Sequence, residues 1–184
     1  MAINLEKGQR VAVDLPKFTI GLGWDVNSTS TGYDFDLDAS AFMNGENGKI
    51  LADEYFVFYN NLQSPDESVV HTGDNLTGEG EGDDESIMVD LSKIDPRVKE
   101  IVFVVTIHKA DERRQNFGQV RNAFIRIYDT TTGVEILRYD LDEDFSIETA
   151  VEFGRIYKRN GQWKFEAIGT GQKAGLAEYL KKYN

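Results

Sequence analysis

The sequence predicts an all-β chain: an antiparallel β-sandwich with short peripheral helices and one C-terminal helix. Three observations lead there. Apolar residues recur with a period of two along most of the chain. Turn residues interrupt these runs at short intervals, most clearly at Asn160-Gly161. Helical spacing is convincing only from Gly171 to Tyr183, where Ala174, Leu176, Tyr179, Leu180 and Tyr183 form a stripe.

The elements follow in order. Val11 and Val13 alternate with polar neighbours. Phe18 to Trp24 reads as a strand, and Gly21 and Gly23 within it suggest a bulge or a close backbone approach. From Tyr33 to Phe42, Phe35, Leu37, Ala39 and Ala41 take one face while Asp34, Asp36, Asp38 and Ser40 take the other. Turns at Asn44-Gly45 and Asn47-Gly48 precede a strand over Tyr55 to Tyr59. Ser86 to Leu91 is the next strand, and Leu91 to Val98 has room for a short helical turn. The β-branched run from Ile101 to His108 predicts a central strand covered on both faces. Ala110 to Gln119 is polar and reads as irregular. Asn122 to Tyr128 and Val134 to Leu141 flank a Thr- and Gly-containing turn, and Ala150 to Lys158 pairs with Trp163 to Ile168 around Asn160-Gly161.

At 184 residues the expectation is one domain spanning 1–184. Thirty-two acidic against 20 basic residues give a net charge of −12. That balance excludes the positive footprint a nucleic-acid binder needs, and any polybasic attachment to an anionic membrane. The absence of cysteine removes disulfide and thiolate chemistry. The first residues lack the apolar centre of a signal peptide, and no apolar run is long enough to span a bilayer. A cytoplasmic protein without direct membrane insertion is expected.

The densest chemistry lies in Gly73 to Glu85, where six carboxylates and the Asn75 amide sit among four glycines without Lys, Arg or His. Carboxylates packed this closely repel unless a cation lies between them. Hard oxygen donors and tight glycine turns suit Ca²⁺, which takes about six to eight oxygens. Asp74 and Asn75 open the segment, while Asp83, Asp84 and Glu85 close it. Glu85 follows Asp74 at the first-to-last ligand span of an EF-hand, but Leu76, Gly78 and Glu79 break that pattern. Asp34, Asp36 and Asp38 form a second set, with i and i+2 side chains roughly 6.5–7 Å apart on one strand face. Asp25 precedes the loop that leads back to them, so it can reach the same edge. The competing readings are a solvated strand face for the Asp34–Asp38 set and an acidic surface loop for the glycine-rich segment. Neither explains both clusters. Zn²⁺ is disfavoured because His71 and His108 are the only imidazoles. His71 lies close enough to the loop to support a ligand, although a histidine so placed more often simply ends a strand, and His108 reads as structural.

Enzymatic signatures are missing: no Gly-x-Ser-x-Gly, no P-loop, no His-Glu-x-x-His. Paired carboxylates leave a metal-dependent hydrolase as one alternative, and a small-ligand or anion sensor as another.

These residues bring in a resemblance. Gly21-Leu22-Gly23-Trp24-Asp25, Asp34-Phe35-Asp36-Leu37-Asp38-Ala39-Ser40, Phe58-Tyr59-Asn60-Asn61, His71-Thr72-Gly73-Asp74-Asn75, Gly78-Glu79-Gly80 and Gly82-Asp83-Asp84-Glu85 resemble the TerD-domain family of tellurite-resistance and stress-response proteins. Ile107-His108, Phe117-Gly118-Gln119-Val120 and Asn122-Ala123 extend the similarity, which runs from about residue 2 to the C-terminus. The resemblance implies a β-sandwich that binds two Ca²⁺ ions at one edge. It implies Asp25, Asp36 and Asp38 as ligands on the strand side, and Asp74, Asn75, Glu79, Asp83, Asp84 and Glu85 on the loop side. It also implies a non-enzymatic role with protein partners: a TerC-type membrane protein and TerD paralogues.

Overall fold

The computed structural model describes residues 3–4, 6–27, 32–73, 82–140 and 147–184. Among the described residues, twelve strands form two six-stranded sheets. The first sheet holds β1 (Ile3–Asn4), β10 (Glu135–Asp140), β9 (Phe124–Asp129), β3 (Lys17–Gly23), β7 (Glu85–Asp90) and β6 (Val69–His71), in that spatial order. The second holds β2 (Arg10–Ala12), β12 (Gln162–Gln172), β11 (Ala150–Arg159), β8 (Glu100–Ile107), β4 (Leu37–Asn44) and β5 (Phe56–Val57). Pairing is antiparallel except where β1 lies parallel to β10. Two short helices, α1 (Ala110–Arg113) and α2 (Leu176–Tyr183), and a 3-10 turn at Asp53–Tyr55 complete the described elements.

The main core lies between the sheets. Phe18, Ile20 and Leu22 of β3 meet Leu37, Ala39, Ala41 and Met43 of β4 and Ile101, Phe103, Val105 and Ile107 of β8 there. A second cluster covers the opposite face of the β4–β8–β11 sheet. Phe42, Phe56, Val102, Val104 and Ala150 pack beneath Tyr179 and Tyr183 of α2. This double cover explains why β8 is a continuous apolar run: alternate residues feed different clusters. The Asn160-Gly161 hairpin forms as its sequence requires, with φ of 52° and 77° at the two positions.

Several boundaries differ from expectation. The final helix starts at Leu176 rather than Gly171, because β12 runs on to Gln172 and pairs that residue with Ala150. The helix begins where Glu178 accepts the Gly175 N–H at 2.8 Å. The expected strand over Tyr55 to Tyr59 shortens to β5, since Asn61 donates its side-chain amide to Phe56 O at 2.7 Å and Phe58 closes a turn onto Asn61. Leu91 to Val98 forms turns rather than a helix, whereas α1 falls in the segment read as irregular. Strand β6 was not expected: its residues are too few to establish a period.

Two outcomes test the second cluster. Phe42 is fully buried and stacks on Phe56 with ring centroids 4.5 Å apart. Phe42→Ala should therefore cost about 3–5 kcal/mol in urea unfolding, whereas Lys181→Ala on the exposed side of α2 should stay within about 0.5 kcal/mol. Burial pushes the Tyr179 phenol up to about 12. Burial, and then acceptance of its proton by Glu152, push Tyr183 up as well. A phenol whose folded value is raised stabilises the fold at lower pH and loses that contribution as pH rises from the unfolded value through the folded one. Tyrosine near-UV circular dichroism should thus show the fold weakening from about pH 10 upward, and Tyr179→Phe should reduce that alkaline slope.

Candidate metal-binding edge

Residues preceding β4 and β7, the end of β3 and the end of β6 meet at one end of the sandwich. Asp36 and Asp38 are there, each 4% exposed. They do not line a solvated strand face, because that face carries the second apolar cluster and the segments around α1 and α2. Alternation along the sequence could not show what surrounds them. Asp34, by contrast, is exposed.

Basic groups approach this pair from the β8–α1 junction. Arg113 Nη1 is 3.8 Å from Asp36 Oδ2, and His108 Nδ1 is 3.7 Å from Asp38 Oδ2. Neither separation is a direct hydrogen bond. The His108 N–H also donates to the Asp36 carbonyl at 2.8 Å. Arg113 is placed by a single helical turn bounded by left-handed residues, Lys109 at φ 51° and Arg114 at φ 53°. The sequence marks it only as one charge in a polar stretch.

Glu85 is 1% exposed and stands at the start of β7, in the other sheet. Its Oε2 accepts the Ala39 N–H at 2.9 Å and lies 3.3 Å from His71 Nε2. Strand β5 pairs only with Ala41 and Phe42, so Glu85 takes the place of a strand at this point of β4. His71 ends β6, and its imidazole is thereby set beside Glu85.

Asp84 accepts the Trp24 N–H at 2.9 Å and donates its own N–H to Leu22 O at 2.8 Å. Burial pushes its carboxyl above the usual range; the Trp24 hydrogen bond opposes this, and the charges of Asp83 and Asp25 add to it. Asp25 is exposed and accepts from the Asn122 amide at 2.6 Å.

Asp83 goes elsewhere. Gly82, at φ 94°, turns the chain, and Asp83 folds over Gly21 on the outer face of its sheet. A Cβ at Gly21 would collide with its carboxylate, which is the close approach the β3 glycines predicted. Arg126 of β9 donates to both Asp83 oxygens, at 2.8 and 2.9 Å. Sequence reasoning missed Arg126, although outward-facing alternation along β9 marks it. Asp74, Asn75 and Glu79 lie outside the described residues.

Of the expected ligands, Asp36 and Asp38 lie beside Arg113 and His108, Asp84 lies within electrostatic reach of Asp25, Glu85 is bound to Ala39 of the other sheet, and Asp83 is turned to an arginine. Among the described residues, no three acidic or histidine side chains converge as a complete metal cage. The donors are nevertheless hard oxygens, several of them buried, and that chemistry fits Ca²⁺ or Mg²⁺ better than a thiophilic metal.

An antiparallel sandwich with an acidic end defines the class, and comparison with known proteins supplies the family. The TerD domain profile matches residues 1–183, so the chain belongs to the TerD-domain family. It is 52% identical to tellurium resistance protein TerD of Serratia marcescens, covering 100% of this chain and 97% of that one. Identity to general stress protein 16U of Bacillus subtilis is also 52%, with the same coverage. A solved homologue of telluride resistance protein TerD from Streptomyces coelicolor superposes with a TM-score of 0.77 at 20% identity, over 90% of this chain and 95% of that one. This last likeness bears on fold alone. No helix among the described residues is long and apolar enough to cross a membrane.

Because Asp84 is held above the usual carboxylate range, its ionised form is disfavoured in the metal-free fold. Asp84→Asn should leave the melting temperature in EDTA unchanged or raised, since the amide oxygen still accepts from Trp24. A clear drop in EDTA would contradict this account of Asp84. Arg126→Ala should be destabilising by about 1–3 kcal/mol in chemical denaturation, because it strands the Asp83 carboxylate.

Proposed function

We propose that this TerD-family protein is a cytoplasmic Ca²⁺-binding stress-response component without enzymatic activity. Its acidic end binds Ca²⁺ and presents an ordered surface to protein partners. The observation that carries this reading is the burial of Asp36, Asp38 and Glu85, none more than 4% exposed, at one end of a chain of net charge −12. Buried carboxylates favour nearby countercharge, and the Arg113 guanidinium and His108 imidazole bring some to within 3.8 and 3.7 Å of Asp36 and Asp38. Two ions are proposed, with Asp25, Asp36, Asp38, Asp84 and Glu85 among their ligands. Asp74, Asn75 and Glu79 would complete the shells, while Asp83 stays with Arg126. Bound Ca²⁺ supplies charge neutralisation and fixed coordination. Glu85 would then transmit the ordered edge to β4 through Ala39. A TerC-type membrane protein and TerD paralogues are the proposed partners.

A second reading has one observation in its favour. A cleft of about 290 Å³ opens beside Asp38, lined by Tyr59, His108, Lys109 and Lys173. Asp111, Glu112 and Glu178 line it too, so a small anion would need metal at Asp38 as well as Lys109 and Lys173 to be held there, and such binding would make the protein a sensor rather than a pure scaffold. Titrating tellurite and nucleotides into the Ca²⁺-loaded protein separates the two: saturable heat supports the sensor, and none supports the scaffold.

For either reading, Ca²⁺ at a hundredfold excess over Kd should add about 2.7 kcal/mol. That corresponds to a melting temperature roughly 5–10 °C above the value in EDTA for a chain this size. Asp38→Asn should remove much of the difference. Coincident melts of the wild type with and without Ca²⁺ would rule out structural metal.

A further inference from the structure

At the other end of β3 and β9, far from the acidic edge, the two sheets part. The crossing segment from β2 to β3 and the β9–β10 hairpin leave a cleft of about 440 Å³ between them. Its floor is apolar and continuous with the core: Ile127 and Leu137 are 1% and 2% exposed, and Val13 packs against the same cluster. Leu15 and Val134 form its walls, and Val134 is 58% exposed. This volume lies within the range of small-molecule sites, about 300–1,000 Å³.

Charge selects the occupant. Every ionisable residue lining the cleft is an aspartate, Asp14 or Asp129. The Thr131 N–H donates to Asp129 at 2.8 Å and holds its carboxyl below the usual range, so the group stays ionised. Asp14 is exposed and accepts from the Gln162 amide at 3.3 Å. An anionic amphiphile would meet both carboxylates and a net charge of −12. No aromatic side chain lines the cleft, so a cationic head would be recognised by carboxylate rather than by a ring face.

We propose that this cleft is a binding site for a small amphiphilic cation, with an aliphatic body between Val13, Leu15 and Val134 and an ammonium-type head at Asp14 and Asp129. The site is independent of the Ca²⁺ reading, since it shares no residue with the acidic edge.

The test uses n-octyltrimethylammonium and octanoate as matched probes, each below its micelle concentration, with the full chain in Ca²⁺ buffer and in EDTA. Calorimetry should show saturable one-site binding of the cation in both buffers, and at least about tenfold weaker binding of octanoate. Amide shifts should change around residues 13–15 and 127–137. Val134→Lys should weaken the cation by about tenfold or more. Should that variant melt early, Asp14→Asn serves instead and should narrow the preference for cation over anion. Equal binding of octanoate, shifts confined to the acidic edge, no saturation, or indifference to these substitutions would each overturn the proposal.

Discussion

The Glu85 carboxylate crosses from one sheet to the other. It begins β7, yet it accepts the N–H of Ala39 in β4, at a point where β5 no longer covers that strand. His71 stands 3.3 Å away on the same oxygen, and all three residues are buried. A charge-assisted hydrogen bond in such surroundings is worth more than an ordinary one, and its loss would leave a backbone donor unsatisfied. Through this contact, Asp84 on the β7 side and Asp38 on the β4 side hold a defined relation. The acidic end is therefore part of the sandwich rather than an appendage to it.

The same contact bears on how charge is tolerated there. A chain of net charge −12 has no general reason to bury three carboxylates at one end. It sets Arg113 and His108 beside Asp36 and Asp38, sets the Ala39 N–H and His71 beside Glu85, and gives the neighbouring Asp83 to Arg126. The β3 glycines contribute by absence: Asp83 and the Phe124 ring occupy the space that side chains at Gly21 and Gly23 would need.

Much of this was legible in the sequence, and the exceptions have physical reasons. The run from Ile101 to His108 announced a doubly covered strand, and Asn160-Gly161 announced its hairpin, because both signals are local. The family was legible from the order of its acidic and glycine motifs, and the matching profile bears that out. The surroundings of Asp36 and Asp38 were not legible, since Arg113 and His108 come to them from the β8–α1 junction, distant in sequence. Strand β6 is paired into existence by β7 rather than by its own three residues. Asp83, Asp84 and Glu85 close the acidic segment in sequence, yet they take three different partners. Strand parity already warns that adjacent residues face different ways, and Gly82 completes their separation.

The most direct measurement is a crystal structure of the Ca²⁺-loaded protein with anomalous data. The account predicts peaks at the acidic end, with Asp36 or Asp38 oxygens about 2.3–2.6 Å from an ion and Asp83 still paired to Arg126. Absence of any peak there at saturating Ca²⁺, with Arg113 and His108 closed directly onto Asp36 and Asp38, would contradict it.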